Sequence, residues 1–305
     1  MKKLLFIYHA KSGTAGIARH LCEVIDIFIK SGYYVDAYQT QSPLDAKRQI
    51  VQRAKDFDMV VCSGGDGTLN EAVSGIMMLD NPPLLGYIPS GSTNDFAGSI
   101  GLKKNMVTNA KIAVGGSKYK VDVGTFNGNK NFVYVVAFGL FTEVSYSTSQ
   151  GLKNVIGHQA YILEAIKSLP SIKAYKMRFE FDGKVIEDEF VYGMISNSRS
   201  VGGIKGLMGD DVVLDDGLYE VTLIKKPKKI QDLSGIVQAV INTKAKSEYI
   251  YRFKVSEIKV SSDEPVKWTV DGECGGEHKS VYVTNIPNAV TIMGAKRKIV
   301  AKEKE

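Results

Sequence analysis

The chain has 305 residues, more than a single domain usually holds, and it is 44% hydrophobic and 24% charged. The length predicts two folded domains, and the composition argues against long disordered, fibrous or collagen-like structure. Lys and Arg exceed Asp and Glu by only 39 to 33, and we expect no nucleic acid partner.

Cysteine usage and hydropathy indicate where the protein works. The three cysteines are widely spaced and form no CxxC pair, which favours neither a disulfide framework nor a zinc site and fits a reducing cytoplasm. No apolar stretch approaches the roughly 20 residues needed to cross a bilayer. We therefore expect a cytoplasmic protein whose membrane contact, at the inner face, is peripheral. A lysine cluster at residues 225–229 could meet anionic headgroups or simply form a solvated surface.

The first 120 residues alternate short apolar runs with amphipathic stretches, as successive βα units of a parallel sheet do. The spacing of apolar residues from Ile17 to Phe28 predicts a helix, and Ser42-Pro43 predicts the start of another through a capping hydroxyl followed by proline. The predicted strands are Leu4–Tyr8, Tyr33–Tyr38, Met59–Cys62 and Leu84–Ile88. This half is expected to be a doubly wound α/β domain.

From about Tyr119 the pattern changes to alternating strands, with hairpin signals at Asn127-Gly128 and Asp182-Gly183. Helical patterns interrupt these strands at residues 159–169 and 230–242. The second half is therefore predicted to be mostly antiparallel β. The apolar residues between Val133 and Phe141 could line a lipid cleft, but filling the β core is the better interpretation.

Two polar loops follow predicted strands and carry the chemistry. Gly64–Thr68 joins a strand to a helix, where glycines let the backbone approach an anion and the helix dipole attracts phosphate. Asp66 within this loop indicates a bridging metal, because phosphate alone would not favour a carboxylate. Ser90–Asp95 places hydroxyls, an amide and a carboxylate after the next strand. Since carboxyl ends of parallel strands share one sheet edge, the two loops should lie together.

These residues resemble the diacylglycerol kinase catalytic-domain family, bacterial soluble lipid kinases related to ceramide and sphingosine kinases. Gly64–Glu71 looks like the family's nucleotide-binding motif, and Gly91–Ala97 is similar to its second motif, with Ser92 in place of the usual threonine. Asp215–Leu218 and Val270–Glu273 match two later motifs in the expected order. The first loop departs from the family, because His9-Ala10 stands where Asn-Pro is common.

The resemblance implies specific roles, with ATP as co-substrate and Mg²⁺ as cofactor. It implies that Asp66 acts with the nucleotide phosphates and Mg²⁺, and that Asp122 supports the metal through water. It also implies that Glu273 is the base for the acceptor alcohol and that Asp271, in the same motif, is a further catalytic residue. The implied nucleotide-binding residues are Ser12, Thr40, Gly64, Gly65, Gly67, Thr68, Ser92, Asn94 and Asp95. A second metal site is implied at Asp216, with backbone carbonyls such as those of Val213 and Leu218.

The family resemblance also implies the architecture: an N-terminal doubly wound α/β nucleotide domain, as in NAD kinase and diacylglycerol kinase, and a C-terminal antiparallel β-sandwich-like domain. We expect residues 1–122, with 290–305 returning to them, to bind ATP, and residues 123–289 to bind the lipid, with catalysis between the two. The implied reaction makes phosphatidic acid from diacylglycerol. Phosphatidylglycerol, a ceramide-like lipid or NAD remain alternative acceptors. A nucleotide-binding regulator without catalytic activity is an alternative of another class. The sequence leaves open whether the protein forms a homodimer.

Overall fold

The structure, a computed structural model, describes residues 1–13, 16–139, 173–201, 204–205, 212–229, 232–242 and 245–296. The chain divides into two compact units. The first unit is Met1–Val121 together with the chain from Val290 onward, and the second unit is Asp122–Ala289. The predicted helix at residues 159–169, and Leu140 and Phe141 of the apolar run, lie outside the described residues.

The first unit is a parallel α/β layer structure, as the alternating pattern predicted. Its sheet has the order β4-β3-β1-β2, and the end of β15 adds beside β4, where Ile292 pairs with Leu85 in parallel. Strand side chains such as Leu4, Phe6 and Val61 are buried beneath the helices. The elements are β1 (Lys2–Tyr8), α1 (Gly16–Lys30), β2 (Tyr33–Gln39), α2 (Asp45–Arg53), β3 (Met59–Gly64), α3 (Asp66–Ile76), β4 (Leu84–Pro89) and α4 (Met106–Gly115).

The start of α2 differs from the prediction. The helix begins at Asp45, and its N-cap is Leu44 at φ 63°, so the Ser42 hydroxyl does not cap it. Glu71 on α3 supplies the acceptors instead, because its two carboxylate oxygens lie 2.8 Å from Leu44 N and 3.1 Å from Ala46 N. A tertiary contact has replaced the local cap that the sequence suggested.

The second unit is antiparallel β, with a core of aromatic and branched side chains that includes Phe138, Phe179 and Trp268. Val133, Val135 and Val136 are buried as predicted. Two of its strands extend into the first unit, since β5 begins there and β15 ends there. The elements are β5 (Ser117–Phe126), β6 (Lys130–Phe132), β7 (Val135–Gly139), β8 (Tyr175–Phe181), β9 (Lys184–Ser196), β10 (Ser200–Val201), β11 (Ile204–Lys205), β12 (Tyr219–Lys225), α5 (Asp232–Ile241), β13 (Ile250–Val255), β14 (Glu257–Val270) and β15 (Glu273–Gly294).

Hairpin turns set the strand register of the second unit. Asn127, Gly128 and Asn129 join β5 to β6, with positive φ at the first two residues. Asp182-Gly183 joins β8 to β9, and both residues have positive φ, as a two-residue type I′ turn requires. Asp271-Gly272 makes the same kind of turn between β14 and β15. Glu273 follows this turn directly. Among the described residues, no helix is long and apolar enough to cross a membrane.

Candidate functional site

Three loops meet at the carboxyl edge of the parallel sheet: a first loop (residues 9–13) after β1, a second (residues 64–68) at the end of β3, and a third (residues 90–95) after β4. Ser90 N donates to Gly64 O at 2.8 Å. A Cβ on Gly91 would lie 2.5 Å from Gly65 Cα, and one on Gly13 would lie 2.5 Å from Ser90 O. Only glycine permits this approach, so the predicted neighbouring loops are in backbone contact.

The second loop leads into the N-terminus of α3. Gly65 is the N-cap and contributes no side-chain cap, so the first amides of the helix point outward with the positive end of the dipole. A Cβ on Gly64 would lie 2.2 Å from Thr68 Oγ1, which requires glycine there. The Ser12 hydroxyl of the first loop lies beside Gly65 and is buried. This arrangement of amides and hydroxyls suits a phosphate group.

Asp66 connects the second loop to the third. Its carboxylate accepts the backbone N–H of Asp95 at 3.1 Å and that of Phe96 at 3.4 Å, at the start of the short 3₁₀ helix Phe96–Ile100. These two bonds orient the Asp66 carboxylate toward the third loop. Asp66 thus fixes the position of the third loop, and its predicted role with Mg²⁺ stays a prediction.

The third loop is fixed by its own asparagine. Asn94 has φ 54°, and its amide bonds Gly91 twice: Gly91 N donates to Oδ1 at 2.9 Å, and Nδ2 donates to Gly91 O at 2.7 Å. The amide predicted to touch the nucleotide is thus engaged in shaping the loop. Ser92 is exposed at the loop tip, whereas Asp95 is buried.

A histidine that the sequence left unassigned lies beside a predicted nucleotide residue. Thr40, at the end of β2, is buried, and its hydroxyl lies 3.0 Å from His9 Nδ1. The bond joins the ends of β1 and β2. The departure from the family's Asn-Pro at residues 9 and 10 was the only signal that His9 has a particular part in this chain.

Asp122 is fully buried in the second unit. Gly217 N and Asn288 N each donate to its carboxylate at 2.7 Å, and Asn285 Nδ2 lies 3.4 Å away. Both oxygens therefore accept N–H groups from segments far away in sequence. These contacts give Asp122 a structural part in the Asp216-Gly217 turn; its predicted part in metal support stays a prediction.

Asp271 holds the turn that carries Glu273. Its Oδ2 accepts Val133 N at 2.7 Å, and its Oδ1 accepts Tyr134 N and Val135 N, both at 3.0 Å. The side chain is 5% exposed. Glu273 is exposed, and among the described residues its carboxylate has no hydrogen bond or ion pair. The turn is thus clamped by one carboxylate while the next remains accessible.

Asp216 has a lysine partner in this structure. Its Oδ1 accepts Leu218 N at 3.1 Å, and its Oδ2 lies 3.2 Å from Lys254 Nζ. Lys254 also pairs with Glu220 at 3.0 Å, and burial raises the pKa of Glu220 above its ordinary value. With an ammonium already at the carboxylate, these residues do not fit the divalent cation predicted with Val213 and Leu218. In the described parts of the chain, no three His, Cys, Asp or Glu side chains form a metal-binding group.

Comparison with known proteins identifies the family to which the chain belongs. Residues 3–126 match the diacylglycerol kinase catalytic domain, and residues 134–294 match the YegS C-terminal NAD kinase beta sandwich-like domain. The chain is 32% identical over 278 residues to the diacylglycerol kinase of Bacillus subtilis (strain 168), covering 90% of this chain and 91% of the relative. It is 33% identical over 279 residues to that of Staphylococcus aureus (strain MRSA252), covering 90% and 87%.

The fold has a solved counterpart. A crystal structure of a diacylglycerol kinase from Bacillus anthracis str. Sterne superimposes with a TM-score of 0.75, at 22% identity over 96% of this chain and 97% of that one. At this identity the likeness establishes the fold alone. The two family matches and the curated relatives carry the assignment further: this chain belongs to the diacylglycerol kinase catalytic-domain family of lipid kinases.

Proposed function

We propose that this enzyme transfers the γ-phosphate of ATP to the hydroxyl of diacylglycerol, giving phosphatidic acid and ADP. The observation that carries the proposal is the arrangement at the carboxyl edge of the first unit, where a helix N-terminus without a side-chain cap lies beside three touching loops and Asp66 bonds the third of them. Such a site suits a nucleotide phosphate chain. The names of the relatives support diacylglycerol as the acceptor.

Phosphoryl transfer depends mainly on positioning and charge neutralisation. We assign the phosphates to the α3 amides with the hydroxyls of Ser12 and Thr68, and the rest of the nucleotide to Thr40 and the third loop. Mg²⁺ fits Asp66, because this ion usually combines one or two carboxylates with phosphate oxygens and water. When bound, it would neutralise charge on the phosphate oxygens.

On the acceptor side, Glu273 takes the hydroxyl proton. The lipid oxygen forms a bond to the γ-phosphorus, the bond from that phosphorus to the bridging oxygen of ADP breaks, and the proton passes to the Glu273 carboxylate. Its accessibility beside a clamped turn supports this role. Asp271 acts by holding that turn rather than by touching the substrate.

The acceptor is a membrane lipid, so we propose that the enzyme works peripherally at the membrane surface. Only part of the positive charge of the lysine cluster, which consists of the four lysines within residues 225–229, is available for such a contact. Lys225 lies 3.2 Å from Asp188 and Lys226 lies 3.5 Å from Glu189, which neutralises half of the four lysines. Lys228 and Lys229 are exposed in the same segment.

The test is transfer of labelled γ-phosphate to a panel of lipid alcohols in mixed micelles, with NAD as a soluble alternative. We expect labelled phosphatidic acid from diacylglycerol and a loss of at least about a hundredfold in kcat for Glu273→Gln, the usual effect of removing a general base. Glu277→Gln, an exposed position on the same strand, is the matched control and should keep its activity. Labelled ceramide, phosphatidylglycerol or NAD would instead identify a different acceptor, and ATP binding without transfer would support a regulator.

A further inference from the structure

Tyr87 lies on β4, directly beneath the second and third loops. Its ring is fully buried, and its hydroxyl lies 3.3 Å from Gly64 O and 3.3 Å from Asn94 Oδ1. The two acceptors belong to different loops. A single phenol therefore lies between the phosphate-binding segment and the segment whose amides Asp66 holds.

The Tyr87 hydroxyl has one proton to donate, and the other donors to its two acceptors indicate which of the two bonds matters more. Gly64 O already accepts Ser90 N at 2.8 Å and Gly91 N at 3.2 Å, which fills its two lone pairs. Asn94 Oδ1 accepts Gly91 N and the Tyr87 hydroxyl. A reversed amide would turn its NH₂ group toward Gly91 N–H and its oxygen toward Gly91 O, and would lose both bonds to Gly91. The Gly91 backbone thus sets which way the Asn94 amide points, and the Tyr87 hydroxyl holds the same amide oxygen in place from the strand below.

The Asn94 orientation controls the third loop, because the same amide closes the loop on Gly91. Gly91 in turn touches Gly65 through its backbone. The contacts run in an unbroken series from the Tyr87 hydroxyl, through Asn94 and Gly91, to the N-cap of α3. A shift of the amide would change the spacing between the loops where the phosphates are assigned.

We propose that Tyr87 is a positioning residue for the nucleotide, holding the second and third loops at the spacing that a bound phosphate chain requires. The inference rests on the proposed function, since it assumes that these loops bind ATP. Burial, with smaller contributions from the charges of Asp66, Cys62 and Asp95, holds the pKa of Tyr87 well above its ordinary value. The hydroxyl therefore stays a donor at any pH at which the enzyme works, and its effect does not change with pH.

The experiment measures the Kd of Mg-ATP by calorimetry for the wild type, Tyr87→Phe and Tyr119→Phe. Phenylalanine keeps the ring and removes the hydroxyl; a hydrogen bond of ordinary net strength corresponds to about a fivefold change in an equilibrium constant. We expect Tyr87→Phe to raise the Kd of ATP about fivefold, equally at pH 6.5 and pH 8.5, and to leave the KM of the lipid unchanged. Tyr119 is the matched control, because its hydroxyl donates to Ala295 O at 2.8 Å in the same unit.

A mutant cycle separates positioning from general stability. Both tyrosine variants lose one internal hydrogen bond, so a merely structural role predicts that they bind ATP alike. If the phenol acts through Asn94, Tyr87→Phe should add nothing to the Kd in an Asn94→Ser background, which alone should raise the Kd at least fivefold.

Equal Kd values for Tyr87→Phe and wild type, or additive effects in the cycle, would overturn the inference. If Tyr87→Phe does not fold, the Asn94→Ser variant tests the inference by itself. An Asn94→Ser protein that binds ATP with the Kd of the wild type would then refute the inference. Failure of the wild type to bind ATP would instead refute the proposed function on which the inference depends.

Discussion

Removing the Asp271 carboxylate tests whether the turn that carries Glu273 is clamped as the structure indicates. Three consecutive backbone N–H groups, those of Val133, Tyr134 and Val135, donate to it at 2.7 to 3.0 Å, and the side chain is 5% exposed. Alanine would leave three donors without their acceptor. We therefore expect Asp271→Ala to destabilise the second unit strongly and to reduce kcat with it.

The magnitude follows from the bonds lost. A hydrogen bond to a charged group contributes about 1.5–3 kcal/mol, and partial relaxation of the site makes three such losses less than additive, so the expected cost is about 4 kcal/mol. Asp271 also has φ 49°, where alanine adds about 1 kcal/mol of strain that glycine does not have. Asp271→Gly should therefore be more stable than Asp271→Ala by about that amount.

Asparagine is the informative variant. Its amide oxygen can replace Oδ1 and accept Tyr134 N and Val135 N, and asparagine tolerates positive φ. Its NH₂ group would then face Val133 N–H, so one bond is lost at a cost of about 1–3 kcal/mol. The expected order of stability is wild type, Asp271→Asn, Asp271→Gly and Asp271→Ala.

The assay is urea unfolding followed by the fluorescence of Trp268. This residue is the only tryptophan of the chain and is buried in the core of the second unit, so the signal reports on that unit. A wild-type midpoint for Asp271→Ala, or an Asp271→Asn protein less stable than Asp271→Ala, would refute the clamp. Full stability with lost activity would show instead that Asp271 acts directly on the substrate.

Three further predictions concern other carboxylates. The Gln41 N–H, ahead of other donors, holds the pKa of Asp45 below its usual range, so the Asp45 carboxylate stabilises the fold above its unfolded pKa and loses this effect as the pH falls through the lower folded pKa. The difference in unfolding midpoint between wild type and Asp45→Asn should therefore narrow from pH 7 to pH 3. A constant difference would contradict this. Glu71→Ala should lower the free energy of unfolding by about 1 kcal/mol, because it removes the acceptors at the start of α2, and Glu71→Gln should recover part of this loss. Equal stability of wild type and both variants in thermal melts would exclude the cap. Lys254→Met should lower the free energy of unfolding by about 1–2 kcal/mol, because it leaves the buried Glu220 without its cation while the lysine itself is partly exposed. A chelator should not change the melting temperature of the nucleotide-free protein. A melting temperature that rises with added metal would instead support the second metal site.

The strands and hairpins could be predicted from the sequence because their signals are local. Apolar β-branched runs defined the four parallel strands, and Asn127-Gly128 and Asp182-Gly183 have the turn chemistry of short hairpins. Each of these features depends on residues that are neighbours along the chain.

The rest could not be predicted because it depends on partners far apart in sequence. Ser42 looked like a helix cap, yet Glu71 on another helix takes that role. Tyr87 looked like an ordinary strand residue, because nothing beside it in sequence shows that its hydroxyl lies between two loops. Asp271 had the pattern of a catalytic motif, and only the fold shows its oxygens engaged by backbone amides.

The central claim is that phosphate from ATP ends on the free hydroxyl of a diacylglycerol. The most direct measurement is mass spectrometry of lipids recovered after incubation of the enzyme with Mg-ATP and mixed micelles of either 1,2-diacylglycerol or triacylglycerol, which has no free hydroxyl. The account predicts phosphatidic acid from diacylglycerol, one product for each ATP consumed, and no phosphorylated product from triacylglycerol. Unmodified diacylglycerol after ATP has been bound or hydrolysed would contradict it.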